Sequence, residues 1–214
     1  MSRTLFIGDI HGCADELSEL YSKMQVTSVD TVYATGDVIN GGPKSFEVLQ
    51  FLVANNIQSV LGNHELNFFE YVKDTNKKKK KKKLFDELEK KLKGQSALWA
   101  FLENLPKYIE QNRFILLHAW LRPNIALTEQ DVKDLVRIRE HEWKPWHDFY
   151  TWDKPIIYWH WAQQGLRFTK NTRWLDSGCM WGGHLTGYCL ETGDLWQVRA
   201  RKMYGKPDNW KGDK

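Results

Sequence analysis

Cysteine is scarce in these 214 residues: Cys13, Cys179 and Cys189 are odd in number and stand outside any Cys-x-x-Cys spacing. Neither a disulfide framework nor a cysteine-bound structural zinc is indicated, and the three thiols are expected to be reduced and mostly buried. Apolar runs are short, none approaching the ~20 residues of a spanning helix, so no membrane partner is expected. The opening "MSRTLFIGDIHG" runs straight into a strand pattern without the features of a secretory leader. The cytoplasm is therefore the expected location.

A generally basic surface is also missing, although the formal net charge is +4. Seven lysines form one block, Lys77 to Lys83, and without them 24 basic residues face 27 acidic ones. Like charges in a row repel, so a poorly ordered loop at about 75–84 is the expectation. Weak polyanion binding through Lys77 to Lys83 is the alternative.

What remains is an ordinary globular composition, 42% hydrophobic and 27% charged, in a chain long enough for one core. A single domain spanning 1–214 is expected. "TLFIGD" (4–9) and "DTVYATGD" (30–37) read as strands, "ADELSELYSKM" between them as a helix, and "IQSVLGN" (57–63) as a third strand. Pro43 is placed to open a helix across "KSFEVLQFLVANN". A helical middle follows, including "ELNFFEYVKD", "LFDELEKKLK" and "SALWAFLENLPKYI". "RFILLHA" (113–119) and "KPIIYWHWA" (154–162) read as further strands, and "HLTGYCLETGDLWQVRA" as a hairpin around Thr-Gly-Asp. The fold class is mixed α/β, with antiparallel strands late in the chain.

Asp9, Asp37 and Asn63 end three successive strands, separated by 28 and 26 residues. That is close to the ~30 residues of a βαβ unit, so these groups meet at the carboxyl edge of one sheet. His11, His64, His118 and His160 fall at or near strand ends as well. Carboxylates, an amide oxygen and imidazoles form a mixed oxygen and nitrogen ligand set, suited to manganese, iron, cobalt, nickel or zinc. Asp37 is the candidate bridge between two such ions, which in pairs ~3.5–4 Å apart activate water for attack on phosphorus. His64, next to Asn63, is placed to protonate a leaving oxygen.

"GDIHG", "GDVINGGPKS", "GNHE", "LLHA" and "WHWA", in this order, resemble the calcineurin-like metallophosphoesterases. "GGPKSFEVLQFL", "LGNHELNFF" and "TRWLDSGCMWGGHLTGYCLE" are similar to the ApaH-type diadenosine tetraphosphatases and ApaH-like phosphatases within that family. The resemblance implies a β-sandwich flanked by helices and two divalent metal ions bound at the sheet edges. It implies Asp9 and His11 on the first ion, Asp37 on both, and Asn63, His118 and His160 on the second. His64 is then the general acid, and a bridging hydroxide the nucleophile.

Three positions depart from the family pattern: Gly41 replaces an arginine, and Trp120 and Trp159 replace glycines. A glycine cannot reproduce the bidentate hold of a guanidinium on phosphate. Arg122 and Lys44 are the candidate substitutes, and Gly41→Arg is the first substitution the family pattern suggests for raising activity. Trp120, one of eight tryptophans between Trp120 and Trp181, is a candidate for substrate stacking, with core packing the competing role. His141, His147 and His184 lack a ligand partner at convincing spacing. The reading is a metal-dependent hydrolase of phosphoester or phosphoanhydride bonds, with symmetrical cleavage of a dinucleoside polyphosphate first. A serine/threonine phosphoprotein phosphatase is second, and a weakly catalytic nucleotide- or RNA-binding protein third.

Overall fold

The computed structural model describes residues 2–75, 82–122, 124–137, 140–141, 144–145, 150, 152–158 and 166–205. β1 (Thr4–Ile7) alternates as a two-sided strand must: Leu5 and Ile7 enter a core beneath helices, Phe6 a core on the other face. α1 (Ala14–Lys23) follows, with Asp15 and Glu16 in its first turn and Lys23 in its last, charges matched to the helix dipole. β2 (Thr31–Ala34) lies parallel to β1, and α2 (Ser45–Ala54) leads to β3 (Gln58–Ser59), parallel to β2. The helix begins at Ser45 rather than at Pro43, because Gly42 and Lys44 are drawn into the His11–Gly12 loop by backbone hydrogen bonds of 2.6 and 3.0 Å.

The middle carries α3 (Asn63–Lys73), α4 (Lys83–Leu92) and α5 (Ser96–Glu103). Lys82 caps α4 and Lys83 opens it; Lys77 to Lys81 lie outside the described residues. The helix expected over "SALWAFLENLPKYI" stops early. Pro106 and its predecessor disfavour helix, and the chain turns into β4 (Tyr108–Glu110), antiparallel to β5 (Ile115–Leu117).

α6 (Val132–Arg137) and a small pair, β6 (Glu140–His141) with β7 (Lys144–Pro145), precede β8 (Ile156–Tyr158), β9 (Arg167–Phe168) and β10 (Thr172–Trp174). β11 (His184–Cys189) and β12 (Leu195–Arg199) form the expected hairpin. It joins the first sheet antiparallel to β1, giving the order β12-β11-β1-β2-β3; the second sheet runs β4-β5-β8-β10-β9.

Phe6, Tyr33 and Val60 of the first sheet's inner side share a core with Phe114, Leu116 and Ile157 of the second, and the Phe6 and Phe114 rings meet edge to face at 5.0 Å. The sheets therefore pack as a sandwich. Each fully buried apolar side chain there contributes about 1.5–3 kcal/mol. The outer faces are covered by α1 to α5 on one side and by the Trp120–Val136 region on the other. Cys13, Cys179 and Cys189 are buried free thiols. Among the described residues no helix is long and apolar enough to cross a membrane.

Candidate metal centre

Two loops at the carboxyl ends of β1 and β2 are laced together. The His11 amide donates to the Asp37 carbonyl at 2.8 Å, Gly12 to Val38 at 2.9 Å, and Gly42 back to His11 at 2.6 Å. His11 (φ 48°), Asp37 (φ 47°) and Asn40 (φ 65°) all adopt left-handed backbone. Such conformations cost of order 1–3 kcal/mol each and persist only where the surroundings dictate them.

The side chains these loops present converge on Asp37. Its Oδ2 lies 3.3 Å from His118 Nε2 and 3.8 Å from both His11 Nε2 and His64 Nε2. Asp9 lies 3.9 Å from His11 and 3.7 Å from His118. Donor atoms of His11, Asp37 and His64 form one group able to hold a cation, and those of Asp9, Asp37 and His118 another. Asp37 belongs to both. His64 stands with His11 in the first group and His118 with Asp9 in the second.

His118 offers the sharpest observation. Its Nδ1 faces the Thr35 carbonyl at 2.9 Å, an acceptor that fixes the ring proton there. Nε2 then meets two more acceptors, Asn63 Oδ1 at 3.1 Å and Asp37 Oδ2 at 3.3 Å. Lone pairs of these three atoms point at one another unless a proton or a cation stands between them. Burial depresses the His118 pKa, but Asp37 outweighs burial and leaves it raised. The residues present thus fit a bound cation.

The electrostatics agree. Burial holds the Asp9 carboxyl well above its usual range, and Asp176, Asp37 and Glu65 push it further. For Asp37 burial acts upward too, yet His118, His64 and His11 carry it well below. Burial brings His11 down to about 3, with His64 and His118 adding to the fall, so its imidazole is neutral and available as a ligand.

Glu65, Asn40 and Asp176 belong to the site and went unassigned in the sequence. Glu65 is fully buried at the start of α3 and accepts from the Asp37, Gly62 and Ile39 amides at 2.9, 3.0 and 3.1 Å. It ties the Asp37 loop to the loop carrying Asn63; burial and Asp37 raise its pKa to about 7. Its signal was the glutamate at the third helical position of "GNHE", the place of a capping acid. Gly62 makes this closeness feasible, since a Cβ there would overlap Asp37. Asn40 Nδ2 lies 2.8 Å from His64 Nδ1, and the His64 amide donates to Asp37 Oδ1 at 2.8 Å. Asp176 follows β10, is buried, and accepts from the Gly178 amide at 3.0 Å. No spacing rule marked it.

The rim is arranged differently. Arg122 is bound through Nε and Nη2 to the two oxygens of Asp134 and lies 5.7 Å from the Trp120 ring, which is itself buried. Lys44 Nζ holds both oxygens of Asp15 at 2.7 and 2.8 Å. Both candidate substrate cations are thus engaged by carboxylates of their own. His184 is exposed. His160, Trp159, Trp161 and His147 lie outside the described residues.

Comparison with known proteins gives this arrangement a family. The family model described as "Calcineurin-like phosphoesterase" matches residues 2–196. A symmetrical bis(5'-nucleosyl)-tetraphosphatase from Neisseria meningitidis is 28% identical over 265 residues, covering 91% of this chain and 94% of that protein. One of the same name from Cellvibrio japonicus is 27% identical, covering 91% and 97%. A solved structure assigned as a diadenosine tetraphosphatase superposes with a TM-score of 0.77 at 26% identity, covering 98% of this chain and 95% of that one. The chain belongs to the calcineurin-like phosphoesterases, metal-dependent hydrolases of phosphoester and phosphoanhydride bonds.

Proposed function

We propose that the protein cleaves dinucleoside polyphosphates symmetrically, converting diadenosine tetraphosphate into two molecules of ADP, with the whole chain acting as one cytoplasmic catalytic domain. The observation that carries the metal centre beneath this reading is Asp37, whose carboxylate belongs to both cation-holding groups. Asp37 would be shared between two divalent ions, with Asp9, His11, Asn63, His118 and His160 completing the set. Manganese, cobalt, iron, nickel and zinc suit these donors. Bound there, such ions supply positive charge for water activation and for the charge that develops at phosphorus.

The chain's own residues do the rest. Asp37 holds fixed negative charge at the floor, Glu65 keeps the two ligand loops in register, and the Thr35 carbonyl fixes the His118 ring proton on Nδ1. Asn40 orients His64: with the amide nitrogen donating to Nδ1, the proton of the neutral ring resides on Nε2, on the side facing Asp37. We assign that nitrogen to deliver a proton to the leaving oxygen rather than to hold an ion, a contribution worth roughly 10²–10⁴-fold.

The test is to incubate purified protein and manganese with diadenosine tetraphosphate and, separately, with a phosphoserine peptide. ADP as the sole nucleotide product, with the peptide turned over far more slowly, is the expected result. Equal amounts of AMP and ATP, or faster peptide dephosphorylation, would overturn it.

A further inference from the structure

Gly41 stands at φ 95°, a backbone region that disfavours any side chain, and the direction in which one would project is already filled. A Cβ there would overlap the Met180 sulfur and lie 2.9 Å from Met180 Cγ and 3.3 Å from His11 Cβ. The Met180 thioether therefore occupies the space next to Gly41 on the side of His11. The glycine is half of a pair.

Met180 is held in place. It sits on a tight turn, Cys179–Trp181, flanked by Gly178 and Gly182 at φ 69° and 87°. Its carbonyl accepts from the Tyr204 and Gly205 amides at 2.9 and 3.1 Å. That segment is fastened in turn to buried Glu16 of α1, which accepts from the Tyr204 hydroxyl at 2.8 Å and the Arg201 amide at 2.9 Å. Two cations nearby are engaged by one carboxylate: Lys44 and Arg201 both pair with Asp15, at 2.7 and 3.2 Å.

These contacts decide what kind of phosphorus the wall tolerates. A terminal phosphomonoester carries about −1.5 to −2 at pH 7 and three strongly accepting oxygens. A thioether has no proton to donate and is itself a weak acceptor. A third charged oxygen brought against Met180 would lose water without gaining a donor. A phosphodiester, or an internal phosphate of a polyphosphate chain, carries one charge and places a substituted oxygen there instead. Its attached group packs against a soft, polarisable sulfur, which also suits an aromatic ring.

We propose that Met180, seated against Gly41, makes the site select singly charged phosphorus, in phosphodiesters and internal phosphoanhydrides, over terminal phosphomonoesters. The inference rests on the phosphoesterase reading and narrows it to a substrate class. Catalytic efficiency with manganese is to be measured on bis(4-nitrophenyl) phosphate and on 4-nitrophenyl phosphate, for the wild type and for Met180→Lys, Met180→Gln and Met180→Leu.

The wild type should prefer the diester. Lysine should move the ratio toward the monoester by about tenfold or more, the gain of a charged hydrogen bond. Glutamine, nearly the shape of methionine but with an N–H donor, should move it in the same direction by less, and leucine should leave the preference in place. Calorimetric binding of inorganic phosphate should tighten by a similar factor in Met180→Lys or, if that variant melts early, to a smaller degree in Met180→Gln. A wild type that prefers the monoester, or a ratio unmoved by both polar variants with unchanged melting temperatures, overturns the inference while leaving a phosphoesterase standing. Absence of turnover on both esters and on diadenosine tetraphosphate overturns the phosphoesterase reading as well.

Discussion

At the floor of the site each side chain is fixed by groups from distant parts of the chain; at the rim the cations are paired with carboxylates of their own. Glu65 receives three amides from two loops, and His118 is oriented by the Thr35 carbonyl. Arg122, by contrast, is bound by Asp134, and Lys44 and Arg201 by Asp15. The floor is over-determined, as a centre for reactive ions requires. At the rim, Met180 fills the space into which a side chain at position 41 would project.

The largest expected effect is at the floor. Asp37→Asn removes the carboxylate common to both groups, and since loss of a supporting residue alone costs about 10–100-fold, hydrolysis of diadenosine tetraphosphate should fall by more than about a hundredfold. Steady-state kinetics with saturating manganese would show it. Residual activity within tenfold of wild type would mean that the floor does not depend on Asp37.

Glu65→Gln comes next, with activity reduced about 10–100-fold and a change in pH behaviour that a packing defect would not produce. The folded protein raises this carboxyl from 4.5 to about 7, so between those values the fold binds the proton more tightly than the unfolded chain does. Its contribution to stability is therefore complete below 4.5 and lost as pH rises through about 7. Metal-free wild type should show that decline in thermal unfolding, and Glu65→Gln should flatten it.

At the rim the effects are smaller and of another kind. Gly41→Arg should lower stability by roughly 1–3 kcal/mol through left-handed strain, with the clash against Met180 adding to it, and should not raise phosphoesterase activity. This reverses what the family pattern alone suggests for that position. Arg122→Ala should be the mildest change for catalysis, leaving catalytic efficiency on diadenosine tetraphosphate within about twofold, because the guanidinium is already committed to Asp134. A tenfold loss there would mean that Arg122 leaves Asp134 to hold substrate.

The floor was largely legible in the sequence because a repeated local grammar writes it. A short apolar strand ends in Gly-Asp or Gly-Asn, a helix follows, and about 30 residues later the next strand ends beside the first. Asp9, Asp37 and Asn63 follow that grammar, and "LLHA" places His118 by the same logic. Asn40 and Glu65 stood inside the quoted motifs but looked like a turn residue and a helix acid, since nothing local states what their side chains touch. Asp176 and Met180 also stand in a quoted stretch, "TRWLDSGCMWGGHLTGYCLE", but outside the strand-end grammar. Their roles come from β10 and β11 being carried across to the site, a matter of long-range packing.

The two-ion reading rests on one shared carboxylate, and metal stoichiometry tests it most directly. Manganese binding to the purified protein, followed by calorimetry and elemental analysis, should give two ions per chain in the wild type and weakened binding at both sites in Asp37→Asn. Loss of one ion with the other bound as tightly as before would contradict the shared role of Asp37.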